Sequence, residues 1–267
     1  MPFKYGRRAP KNAPALRFES FLASGGIPAQ PSAEDYLGKL GGWQMLGNDV
    51  AGDCNAVTWA NTRRLITASL ATENYPSQAQ VWQFYQTQNP GFDPNGTKDT
   101  NGPGSQHDQG MDIQTGLEYL HATGGPDGVH AVAFAKVDHT KINEVRAALA
   151  IFGALWLGVT VLAANQQQFA HGHAWTDVTG SPIDGGHAIL GGGHTSADIK
   201  FITWAQETEF ARSFWNGVVQ GTRLVEEAWV VIWPEHLGTT AFERGVDQAQ
   251  LAADYQALTG APLVLPH

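Results

Sequence analysis

The spacing of apolar residues changes about halfway along this chain, and that change limits which folds it can adopt. Before about residue 128 the segments that show any apolar periodicity, from Cys54 onward, show it at helical spacing. A helical pattern starts near Cys54 and carries Val57, Ala60, Arg64, Ile66 and Leu70 on or near one face. Ser77, with Gln80 three residues later, forms a capping-box signal for a second helix bearing Val81, Trp82, Phe84 and Tyr85. A third helix is expected from about Asp112 to Ala122. From Val129 onward the pattern becomes strand-like. Val129–Val137, Leu155–Leu162, Gly186–Gly192, Ile199–Trp204 and Ala228–Trp233 read as strands, with an amphipathic helix from Lys141 to Phe152 among them. Helices followed by a largely antiparallel sheet give an α+β architecture, and the lack of an early βαβ run argues against a doubly wound fold. The tail from Thr240 to Ala257 reads as one added helix.

Several function classes are disfavoured by composition. The formal charge is −9, and the most basic stretch holds only Lys4, Arg7, Arg8 and Lys11. That segment reads as a solvated terminus, so no nucleic-acid partner is expected. The longest apolar run, Ala147 to Ala164, is interrupted by Gly153 and Gly158 and reads as a core helix entering a core strand. No membrane association is expected. The first thirty residues contain no continuous apolar region of the signal-peptide kind, which gives a cytoplasmic expectation. The single cysteine cannot form an internal disulfide. His171-Gly172-His173 has no further ligand at convincing spacing except Asp177, so it reads as a loop, and no metal or cofactor is expected. Glu226-Glu227 reads as a solvated turn.

Residues 1–40 are rich in Pro, Gly and Ala and read as an extended strap laid over the body. The body spans 41–234, with a helical half at about 41–128 and a β-rich half at about 129–234, and 235–267 forms an extension. The breaker-rich segment Asn89–Gln109 is too long for an ordinary connection and suits a mobile or functional loop. Either this loop or the strap is expected to limit access to a cleft.

Two residues have settings suited to chemistry. A lone cysteine is commonly just a small buried hydrophobe. Cys54, however, follows Gly52-Asp53 where a turn becomes a helix, and unpaired backbone N–H groups there would favour a thiolate. A thiol nucleophile needs a base near neutral pH, and histidine is the usual one. Of ten histidines, His187 differs from the rest. It opens an apolar strand within Gly185-Gly186-His187-Ala188-Ile189-Leu190-Gly191.

Gly52-Asp53-Cys54 with a helix behind it, and Gly186-His187-Ala188-Ile189 opening a strand, resemble the cysteine and histidine signatures of the papain-like (C1-type) cysteine peptidases. His187 follows Cys54 by 133 residues (187 − 54), within the roughly 130–150 typical of that arrangement. The resemblance covers about Gly42 to Pro234 and includes Gln109-Gly110 ahead of the third helix. It implies a papain-like fold, with a helical half and an antiparallel half forming a cleft for a peptide or protein substrate. It also implies thiol-dependent peptide hydrolysis by Cys54 and His187. The family's oxyanion-stabilising glutamine falls at Asn48, whose amide can donate the same kind of bond. The family's histidine-orienting asparagine is missing. Aligning on Trp204 puts Ile202 there, a one-residue slip puts Thr203 there, and Gln206 would serve if the chain bulged. Thr203 is the favoured orienter. The missing asparagine leaves a catalytically degenerate binding or structural module as an alternative, and a thiol acyltransferase or amidase would use the same two residues.

Overall fold

The computed structural model describes residues 3–23, 33–69, 72–196 and 198–265. Three helices come first: α1 (Cys54–Ala68), α2 (Gln78–Gln86) and α3 (Ile113–Ala122). Two short strands precede them, β1 (Leu16–Arg17) and β2 (Glu34–Asp35). After them come β3 (Ala133–Val137), α4 (Ile142–Phe152), β4 (Leu155–Leu162), α5 (Ala163–Ala170), β5 (Ile183–His194), β6 (Ile199–Thr203) and β7 (Gln206–Phe210). Then follow α6 (Arg212–Asn216), the ribbon β8 (Val218–Val219) and β9 (Thr222–Arg223), and β10 (Val225–Ile232). The chain closes with α7 (Thr240–Gly245) and α8 (Gln248–Thr259).

The main sheet runs β1-β3-β10-β4-β5-β6-β7, with β2 pairing β5. Every pairing in it is antiparallel except β1 with β3. The architecture is the α+β arrangement expected from the change in periodicity. Its central strands are buried on both faces, and the period of two separates the two cores. Leu155, Leu157 and Val159 of β4, with Ala228, Val230 and Ile232 of β10, join the core containing α4. Trp156, Trp229, Val231 and the adjoining Trp233 turn the other way, into the core of α1, α2 and α3.

Some elements differ from expectation. The tail is two helices, because Val246 and Asp247 leave helical geometry and the Asp247 side chain caps α8 through the Gln250 N–H. Both α5 and β7 were absent from the sequence reading. Glu226 and Glu227 lie within β10 rather than in a turn. The β6–β7 hairpin turns on Trp204 and Ala205, both with positive φ (43° and 62°), between paired Thr203 and Gln206. Two left-handed residues match the twist of flanking strands, but glycine or asparagine is usual there.

The largest difference is α1. It is no one-sided surface helix, since every residue from Cys54 to Thr67 is buried. Its buried guanidinium on Arg63 is neutralised by Asp127 at 2.7 Å and Glu235 at 2.6 Å, and it lies 4.7 Å from the Trp233 ring centroid. Removing one side of a buried ion cluster leaves uncompensated charge, which costs about 3–5 kcal/mol. Arg63→Ala is therefore expected to lower the unfolding free energy by that amount in urea titrations, with Arg63→Lys intermediate.

Candidate active site

The start of α1 is set by a tight turn in which the Val50 and Ala51 amides both bond the Gly47 carbonyl at 3.0 Å. Gly47 has φ +103°, and a Cβ there would lie 2.1 Å from the Trp82 ring, so only glycine fits. The Gly52 amide donates to Asp108 Oδ1 at 2.8 Å, tying this turn to the 89–109 segment. Cys54 then opens the helix with 1% of its surface exposed. Its Sγ accepts the backbone N–H of Ala188 at 3.3 Å. Residues 134 positions apart thereby bring α1 against β5 at the residue next to His187.

His187 is fully buried. Its Nε2 lies 2.6 Å from the Thr203 hydroxyl, while Nδ1 has no hydrogen-bond partner among the described residues. The Trp204 ring stacks on the imidazole at 4.7 Å and 22°. The β6–β7 hairpin thus supplies both the hydroxyl and the aromatic lid. Gln206, the other candidate partner, is exposed across the hairpin, and Ile202 packs in a separate apolar cluster.

Asn48 is buried, and its side-chain amide donates to Asp53 Oδ1 at 3.2 Å. Burial, reinforced by the nearby negative charge of Asp108, holds the Asp53 carboxyl well above the usual range. Its other oxygen has no hydrogen-bond partner among the described residues.

Residues Phe3 to Arg8 run across this site. Phe3 stacks on Trp204 at 4.5 Å, and Tyr5 meets the His187 ring edge-on at 5.9 Å. The Gly6 carbonyl accepts the Met111 N–H at 2.7 Å, the Arg7 N–H donates to the Gly186 carbonyl at 2.9 Å, and the Arg8 N–H donates to the Met111 carbonyl at 2.9 Å. The strap is therefore hydrogen-bonded to both walls of the cleft. Side chains beyond Cα have no room at Gly6, where a Cβ would sit 1.8 Å from the Gly52 carbonyl oxygen. Phe3 to Arg8 thus pack over the site, and the 89–109 loop borders it through Asp108. The basic segment expected to be solvated contains a buried Arg7, paired with Glu226 and Glu227 of β10. These three residues were missed in the sequence reading. The signal available was the apolar residues on both sides of the acidic pair, Leu224-Val225 before it and the continuous run Ala228–Trp233 after it.

This cover dominates the electrostatics. Burial pushes the Cys54 thiol up to about 12, with Asp53 acting in the same direction, while the Ala188 and Gly6 amides and Arg7 act against it. Burial, aided by Arg7, pushes His187 down to about 3. Helix-start stabilisation of a thiolate, expected from sequence, is outweighed by desolvation in the covered state. Both groups are neutral at pH 7. The exposed His171 and His173 stack on one another, and no His, Cys, Asp and Glu group that could hold a metal ion occurs among the described residues. No described helix is long and apolar enough to cross a membrane.

No family model and no curated protein matches the sequence. Solved structures do match. Xylellain, a cysteine protease from Xylella fastidiosa, superposes with a TM-score of 0.63 at 14% identity, over 85% of this chain and 95% of that one. The chain has the papain-like fold. Procathepsin B from Trypanosoma congolense gives 0.57 at 12% identity, covering 86% of each chain. A Carica candamarcensis cysteine protease in complex with E-64 gives 0.51 at 13%, over 76% of this chain and 98% of that one. In this papain-like fold Cys54 and His187 lie where the helical half meets the sheet.

The depressed histidines make stability depend on pH with a definite sign. Unfolded histidine titrates near 6.5, whereas His187 titrates at about 3 and the buried His236 at about 4. Between these values the unfolded chain binds more protons at these two positions, so their contribution to stability rises with pH from about 3 to 6.5 and is lost on acidification, while the raised Asp53 carboxyl contributes with the opposite sign. Urea denaturation from pH 7 to pH 4 is expected to give slopes for the protein and for a His236→Asn variant that differ by up to about 1.4 kcal/mol per pH unit, the share of one histidine. A His236→Asn variant should retain the His187 share.

Proposed function

We propose that the protein is a thiol-dependent peptidase in which Cys54 is the nucleophile and His187 its proton partner. The observation that carries this reading is the contact of Cys54 Sγ with the Ala188 amide, beside a histidine that is bonded through Nε2 and unpaired at Nδ1. With Nε2–H donating to the Thr203 hydroxyl, Nδ1 keeps a lone pair for the thiol proton. Thr203 then fixes the ring's orientation and tautomer, the task a carboxylate or amide performs in other triads. Trp204 keeps water from that bond.

In the proposed reaction the thiol proton passes to His187 Nδ1 as sulfur adds to the peptide carbonyl. The oxyanion is stabilised by the Cys54 N–H and the Asn48 side-chain amide, whose second hydrogen is left over from its bond to Asp53. Collapse of the adduct breaks the C–N bond, and imidazolium returns the proton to the departing amine. Water, deprotonated by the now neutral His187, then releases the acyl group and regenerates the thiol. The neutral state of both groups beneath the strap fits a covered form, in which forming the thiolate–imidazolium pair would mean charging two desolvated groups. Displacing the strap admits solvent and lowers that cost.

The test is covalent labelling by an E-64-type epoxide together with hydrolysis of a fluorogenic peptide. A single adduct on Cys54 is expected by mass spectrometry, and Cys54→Ala should abolish both signals with little change in stability. Thr203→Val should lower kcat/KM by about tenfold or more while stability falls by about 1 kcal/mol, the range of one hydrogen bond. A Cys54 that labels no faster than an unfolded thiol even after the chain is cut between Arg8 and Leu16 to release the cover would favour the degenerate, non-catalytic alternative.

A further inference from the structure

Arg7 occupies a built acidic pocket in the cleft. Its guanidinium donates Nη1 to Glu227 Oε1 at 3.1 Å and Nη2 to Glu226 Oε1. Glu227 is 1% exposed and held from its other oxygen by Trp229 Nε1 at 2.8 Å. Glu226 also accepts from the Thr160 hydroxyl. The pocket has space for the arginine stem because position 158 is glycine. A Cβ there would lie 2.5 Å from Glu227 Cγ and 2.9 Å from Arg7 Cδ.

Two adjacent carboxylates, one of them almost wholly buried, are stable as anions only with a cation between them, and burial already pushes Glu227 upward. When Arg7 leaves, that demand remains. The two oxygens are forked to meet separate guanidinium nitrogens, a geometry a lysine ammonium does not reproduce. The Gly6 carbonyl and the Arg8 N–H both bond Met111 while the Arg7 N–H bonds Gly186, so the strap holds its side chain as an extended peptide in the same cleft would.

We infer that the Glu226–Glu227 pocket is a specificity site that selects substrates with an arginine side chain near the scissile bond, and that Arg7 imitates this side chain. The inference rests on the peptidase reading. It goes further by naming the substrate class and two specificity-determining residues.

The experiment uses the full chain carrying Arg7→Gln, which empties the pocket of its cation. Peptidyl epoxides that differ only in Arg, Lys or Leu at one of the two positions on the acyl side are compared by the rate of Cys54 adduct formation. The Arg reagent is expected to react at least about tenfold faster than the Leu reagent at one position, with Lys in between. Adding Glu227→Gln, or Glu226→Gln, should bring the Arg-to-Leu ratio down towards one. If Arg7→Gln does not fold, the same reagents are compared on the unaltered protein with long incubation, and the same ratio is expected. Equal rates for Arg and Leu at both positions, with Cys54 labelled, overturn the specificity and leave the peptidase reading standing. Absence of any Cys54 adduct with all reagents, while the denatured chain reacts with iodoacetamide, overturns the peptidase reading and this inference with it.

Discussion

The burial of α1 on every side is the constraint on which the rest of the molecule depends. A helix enclosed this fully cannot shift or rotate without exposing core, because interiors are packed to crystal-like density. Its N-terminus is therefore fixed against β5, and a sulfur atom at its first residue meets the amide of Ala188. The cost of enclosing the helix is borne at Arg63, whose charge is matched by Asp127 and Glu235 from segments far apart in sequence. The same ion cluster thus joins the helical half to the segment that follows the last strand of the sheet.

The other half of the site depends on a hairpin that the sequence advertises poorly. Trp204 and Ala205 adopt left-handed conformations that usually call for glycine or asparagine. What holds them there is packing: Trp204 is enclosed by Phe3, Phe169, Trp175 and His187. The strain of the turn is offset by an aromatic cluster and yields a geometry in which a threonine hydroxyl reaches an imidazole nitrogen. Local backbone strain beside a functional group is a familiar arrangement when the surroundings over-determine it.

Much of the fold was legible because hydrophobic period is a strong signal. The Leu155–Leu162 strand, the capping box at Ser77 and Gln80, and the placement of Cys54 at the start of α1 all follow from residue pattern. By contrast, β5 begins at Ile183 and His187 lies inside it rather than at its start, because the polar Asp184 and the two glycines before His187 hide the strand's first residues. The second half of the tail and β7 were less legible, because Gln206-Glu207-Thr208-Glu209 has no apolar alternation and the preceding turn lacks its usual residues. The acidic pair and Arg7 were misread for a different reason. Charge alone suggests solvent, and only a partner 219 and 220 residues away makes burial possible. Such pairings are invisible to any local reading. Thr203 could be singled out as the imidazole's partner only through the resemblance, since a threonine at a strand end has no distinguishing pattern of its own.

The strap is covalently part of the chain, and its anchor at β1 begins only nine residues beyond Arg7 (16 − 7). A ligand tethered this closely competes at an effective concentration of order millimolar. It is present at that level however dilute the protein becomes, so dilution cannot release it. A free peptide present at about micromolar concentration has to overcome a roughly thousandfold local excess of the occupant already there. Cutting the chain between Arg8 and Leu16 removes that advantage at a stroke, because the fragment then dissociates into bulk solution. Through the tether, occupancy of the cleft becomes a property of chain continuity as well as of the contacts themselves.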